Sequence, residues 1–175
     1  MKPTKPEDIL LIRSLHFLIF NNKKINSELV KTFAKIRKEL YSDKYVLPYI
    51  SSDFPIEIFK TELPDTQQIL INLCRLFLIK KDTKMANPEI HKNSIQRLVS
   101  FRNSGDIYST DRPENTSDFS AYPLKSPDDN LHEIIECWDI VPINVWHYPK
   151  ANNSGDWYTI AFHSVSSIDM IEDTL

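Results

Sequence analysis

The sequence predicts an α+β fold: a basic helical lobe of about four helices over residues 1–105, followed by an acidic, aromatic-rich lobe over 106–175 that contains an antiparallel hairpin near 143–165. Three observations predict it. Apolar residues recur at helical spacing through the first half, β-branched and aromatic residues concentrate after residue 140, and charge divides between the same two stretches. Residues 1–105 carry 18 Lys and Arg against 11 Asp and Glu, whereas residues 106–175 carry 3 against 13. At 175 residues the two lobes also fit a single domain sharing one core.

The first helix is expected over 6–21. Thr4 and Glu7 have capping-box spacing, and the run from Ile9 to Phe20 is apolar on nearly every side, as a central helix would be. The second, over 27–41, begins near Asn26 and Ser27 and aligns Leu29, Phe33, Ile36 and Leu40 opposite Lys31, Lys35 and Lys38. Pro48, Pro55 and Pro64 argue against a long regular element between 45 and 65. A third helix is expected over 66–81, burying Ile69, Leu73, Leu76 and Phe77. A fourth, over 88–103, has Asn87 as its cap, Pro88 at the first helical position, and Ile95, Leu98, Val99 and Phe101 inward.

Residues 109–130, with Pro113, Pro123 and Pro127, read as a long irregular connection, and residues 131–141 fit either helical or extended spacing. Residues 143–148 and 157–165 read as two strands joined by turn-forming residues 150–156. A lone hairpin is marginal, so it is expected to add a third strand, from 106–109 or 137–141, or to lie on the helices.

Composition narrows the function. Glu7 and Asp8 directly before the first apolar run, Arg13 and His16 within it, and no small-residue cleavage site after it argue for a helix of an unexported, cytoplasmic chain. No segment approaches the roughly 18 apolar residues of a membrane span, so no membrane partner is expected. Cys74 and Cys137, far apart in sequence, predict reduced and buried thiols. Glycine occurs only at Gly105 and Gly155, which excludes a P-loop or a dinucleotide fingerprint, and no cofactor is signalled.

His132, Cys137, His147 and His163 are residue types that bind zinc, but no pair has a recognised ligand spacing and no metal site is expected. The basic stretch from Lys80 to Arg102 reads as a solvated face, and a pI of 5.9 disfavours nucleic acid. The acidic residues Asp129, Glu133 and Glu136 and the aromatic residues Trp138, Trp146, Tyr148 and Trp157 form the leading candidate surface. Negative charge speeds encounter with a basic partner, and buried aromatic anchors slow dissociation. The leading expectation is therefore a non-enzymatic inhibitor of the immunity or antitoxin type, acting on a basic protein such as a nuclease toxin. The alternatives are a small, zinc-dependent hydrolase using the C-terminal His and Cys residues, or a secreted effector or accessory protein. The oligomeric state is left open.

Overall fold

The first forty residues form two helices, as their periodicity predicts. The computed structural model describes residues 1–113, 118–127 and 133–175, and in it α1 (Pro6–Asn21) buries Leu11, Ile12, Leu15, Leu18 and Ile19. Helix α2 (Lys23–Leu40) buries Ile25, Leu29, Phe33, Ile36 and Leu40 along one stripe. Their caps differ from expectation. Thr4 makes no capping bond, since Pro6 starts α1 directly after Lys5. Asn22, between the helices, accepts from the backbone N–H groups of Lys24 and Ile25 at 3.1 and 3.2 Å, and so starts α2 earlier than Asn26.

Beyond residue 40 the α+β expectation fails, because the chain becomes mostly β. The first antiparallel sheet contains β1 (Tyr49–Phe54), β2 (Leu73–Ile79), β4 (Gln96–Arg102), β7 (Trp138–Val141) and β9 (Trp157–His163), in the order β1-β2-β9-β4-β7. The second contains β3 (Glu89–His91), β5 (Gly105–Thr110), β6 (Ser120–Leu124), β8 (Trp146–Ala151) and β10 (Glu172–Thr174), in the order β10-β3-β8-β5-β6. Both sheets draw strands from each side of residue 105. Short helices α3 (Glu57–Lys60) and α4 (Asp65–Gln68) link β1 to β2.

The third and fourth predicted helices are β2 and β4 with their neighbours, and the reason is burial on both faces. Every residue of β2 except Arg75, and every residue of β4 except Arg102, is buried. One face of this sheet meets α1 and α2 and the other meets the second sheet. The resulting continuous apolar runs satisfy helical spacing as well as strand spacing. The predicted hairpin also divides. Strand β9 lies between β2 and β4 in the first sheet, while β8 pairs with β3 and β5 in the second, so the chain crosses the sandwich between them. Strands β1 and β6 lie in stretches expected to be irregular. Pro48 and Pro55 flank β1 without entering it, and Pro123 sits on edge strand β6, where a sheet tolerates proline.

Three layers result. Leu76, Leu78, Val99, Trp138, Ile160 and Phe162 pack against the helices. Phe77, Ile79, Leu98, Ile107, Trp157 and Ala161 fill the space between the sheets. A buried ion pair pins α1 to β4: Arg97 donates from Nε and Nη2 to Asp8 Oδ1 at 2.8 and 2.6 Å, and from Nη1 to the Leu70 carbonyl at 3.1 Å. The Met1 ammonium pairs with the fully buried Asp139. Cys74 and Cys137 are buried thiols. Among the described residues, no helix is long and apolar enough to cross a membrane.

Candidate metal centre

Strand β3 is only three residues long, yet its alternation builds the centre. Successive strand residues face opposite sides, so Glu89 and His91 share one face. Register places Glu89 opposite His147 of β8 and Ile90 opposite Trp146. Side chains directly across an antiparallel pair meet. His147 Nε2 lies 3.3 Å and His91 Nε2 3.7 Å from Glu89 Oε1. Each of the three side chains offers one ligand atom, and those atoms all lie within 4.8 Å of one another.

The tautomer of His147 suits ligation. Its Nδ1 is 3.2 Å from the Val145 carbonyl, which can only accept; a proton on Nδ1 makes that contact a hydrogen bond and leaves Nε2 turned to the cluster. That Nε2, buried, makes no hydrogen bond of good geometry. Buried polar atoms without partners are costly, and this one is aimed at two other donor groups. Two imidazoles and a carboxylate form a donor set suited to a divalent transition metal, so the residues present fit such an ion.

Burial lowers the His91 pKa from 6.5 to about 4. His147 and Arg75 add to the fall, while Glu89 opposes it. His91 is therefore a neutral imidazole at pH 7, the form that binds metal. Burial pushes the Glu89 carboxyl up, but the His147 and His91 rings beside it outweigh this and hold it below its usual value.

The facing sheet supplies a second polar group. His163 of β9 packs edge-on against His91 with ring centroids 5.0 Å apart, and its Nε2 is 3.5 Å from the Gln96 side-chain nitrogen. Its Nδ1 and Gln96 Oε1 are buried without partners. Burial, reinforced by His91, Arg75 and His147, keeps His163 well below its ordinary pKa. Beside the cluster a cavity of about 10 Å³ is lined by Phe77, Met85, Leu98 and Ile107 together with Gln96 and Thr159. That is near the smallest space that holds one water.

No protein-family model and no curated protein matches this sequence. Solved structures match the fold. An oxalate oxidase in complex with the substrate analogue glycolate superposes with a TM-score of 0.51 at 7% identity, covering 74% of this chain and 57% of its own. A mutant salicylate 1,2-dioxygenase from Pseudoaminobacter salicylatoxidans, in complex with gentisate, gives 0.51 at 9% identity, covering 87% of this chain and 36% of its own. The fold is a cupin-like β-sandwich. The chain thus spans little more than half of one matched protein and about a third of the other.

Within this cupin-like frame the residues singled out from sequence scatter. Trp138 and Trp157 are fully enclosed, one under the helices and one between the sheets, because strand alternation turns both inward. Trp146 and Tyr148 are half-buried on the outer face of the second sheet, where Tyr148 stacks on Tyr108 at 5.0 Å. Glu133 and Glu136 are exposed, and Asp129 lies outside the described residues. Of the four candidate zinc residues, His147 is in the cluster and His163 beside it, Cys137 belongs to the core against the helices, and His132 lies outside the described residues.

The expectation of a non-enzymatic toxin inhibitor is overturned by the cupin-like fold together with the Glu89, His91 and His147 cluster, which favour the metal-dependent alternative. Sequence reasoning missed Glu89 and His91. The available signal was two metal-binding residue types at positions i and i+2, which share a face only on a strand.

Proposed function

We propose that this chain is a metal-dependent oxidoreductase that holds a divalent transition metal through Glu89, His91 and His147 and acts on a small, anionic substrate. The observation that carries the reading is the convergence of the three ligand atoms within 4.8 Å on adjacent strands, with His147 oriented by the Val145 carbonyl. Two histidines and one carboxylate leave coordination positions open, and an iron(II) ion held this way supplies oxygen chemistry. Two proteins of the same fold, an oxalate oxidase bound to glycolate and a salicylate dioxygenase bound to gentisate, support that class.

The chain's own residues bear on the substrate. Phe77, Met85, Leu98 and Ile107 put an apolar wall beside the cluster, and the cavity there, at about 10 Å³, holds no more than one water, so a substrate the size of oxalate enters only if these side chains move. Arg75 of β2 contributes to lowering the pKa of His91, Glu89 and His163, although its guanidinium is paired with Asp53 at 2.9 Å. Gln96 and Thr159 offer hydrogen bonds from the wall.

The test is metal content after reconstitution with Fe2+ or Mn2+, followed by oxygen uptake with small carboxylates such as oxalate and glycolate. One equivalent of metal, lost in His147→Ala together with oxygen uptake, is expected. A wild-type protein that retains no metal after reconstitution would overturn the reading. Metal that raises the melting temperature without any turnover would make the ion structural, an outcome that the small cavity would also accommodate.

A further inference from the structure

We propose that Glu172, on the outermost strand of the second sheet, is a fourth protein ligand of this centre, so that metal binding fastens β10 onto β3. The proposal rests on Glu89, His91 and His147 being ligands. In the β10–β3 ladder Glu172 stands directly opposite His91, as Glu89 stands opposite His147 in the next pair of strands. Glu172 Oε2 lies 3.7 Å from His91 Nε2, the same nitrogen that Glu89 Oε1 approaches at 3.7 Å. Two carboxylates and two imidazoles thus share one face of three neighbouring strands; Glu172 stands outside the group of three whose ligand atoms all lie within 4.8 Å of one another, so its side chain swings inward to ligate.

Charge favours the fourth ligand. A dication held by one carboxylate leaves a net positive charge among buried side chains, and a second carboxylate cancels it. An uncompensated charge in a poorly hydrated site is costly. Glu172 is 42% exposed, so it reaches the cluster from the solvent side without itself being buried.

The strand that carries it is lightly held. No residue of β10 is buried. Besides its ladder with β3, the segment is tied by backbone bonds from Lys92 N–H to the Ile171 carbonyl at 2.8 Å and from Leu175 N–H to the Pro88 carbonyl at 3.1 Å. Asn93 accepts from Ile171 N–H at 2.9 Å, and Lys92 pairs with Asp173 at the surface. Segments with little apolar burial open at low free energy. A metal bond to Glu172 therefore adds a constraint that amide exchange can detect.

Co2+ is the probe, since it binds nitrogen and oxygen sites more tightly than Fe2+ or Mn2+ and absorbs visible light. Wild type, Glu172→Gln and His147→Ala are each titrated with Co2+ against a competing chelator, and amide exchange is followed with and without the ion. Glu172→Gln should unfold at the wild-type temperature when metal-free, because the side chain is exposed. It should bind Co2+ at least about 100-fold more weakly, beyond the roughly 10- to 100-fold lost when only an outer-shell partner of a ligand is removed. Co2+ should slow exchange at Ile171 and Leu175 in wild type and leave both unchanged in the variant. Equal affinity and equal protection in wild type and Glu172→Gln would overturn the proposal while leaving the three-residue centre standing. A wild type that binds no Co2+ would overturn both.

Discussion

Acidification should destabilise the metal-free protein through its buried histidines, and His91 sets the scale. Its folded pKa of about 4 lies below the 6.5 of an unfolded imidazole, so the unfolded chain takes up a proton first as pH falls. The sign follows from linkage: stability from His91 is complete above pH 6.5 and is lost as pH falls toward 4. At pH 5 the unfolded imidazole is almost fully protonated and the folded one is mostly neutral, which removes about 2 kcal/mol relative to pH 7 at 1.36 kcal/mol per pH unit. Against a domain stability of roughly 5–15 kcal/mol that is a large loss. His163, lowered further, acts in the same direction. Asp139, which burial pushes up, acts in the opposite sense. The assay is urea unfolding of metal-free wild type and His91→Gln at pH 7, 6 and 5. Subtracting the two curves cancels Asp139 and leaves a difference that should shrink by about 2 kcal/mol from pH 7 to pH 5. Curves that stay parallel within about 0.5 kcal/mol would refute the reasoning.

Two further predictions concern the scaffold. Asp8→Ala strands the Arg97 guanidinium with only the Leu70 carbonyl and should cost about 3–5 kcal/mol in urea unfolding, whereas the apolar pair Asp8→Leu with Arg97→Met should recover most of it. Gly105→Ala places a methyl group 2.3 Å from Trp157 Cε3 and 2.5 Å from the Lys150 carbonyl, a clash that should cost about 1–3 kcal/mol or more in melting experiments. An unchanged melting temperature would mean that Trp157 does not lie over β5.

What was legible in the sequence was local. The α2 stripe of Leu29, Phe33, Ile36 and Leu40 has a period that only a helix satisfies, and 157–163 is too rich in β-branched and aromatic residues to be anything but a strand. The run 73–79 lacks that discrimination, because burial on both faces erases the alternation that marks a strand. The error propagated to the site. Asn87 and Pro88 are good helix-starting residues, and on a helix Glu89 and His91 point about 200° apart, so no cluster is visible. On a strand they coincide, but the partner that completes the cluster, His147, is set by a register that no local pattern encodes. The charge division was real in sequence and did not mark a structural boundary, since strands from both halves interleave in each sheet.

The second sheet gathers the three residues from β3 and β8, strands remote in sequence, so the cluster exists only once those two strands have paired. Metal affinity is then drawn from the same free energy as folding. The burial that makes the metal-free chain acid-labile also prepares it for an ion. A histidine whose pKa is about 4 is uncharged at pH 7, so ligation by His91 requires no loss of an imidazolium proton there. The desolvation of His91, unfavourable to the metal-free protein below pH 6.5, is thereby the feature that keeps this ring uncharged for an ion at pH 7.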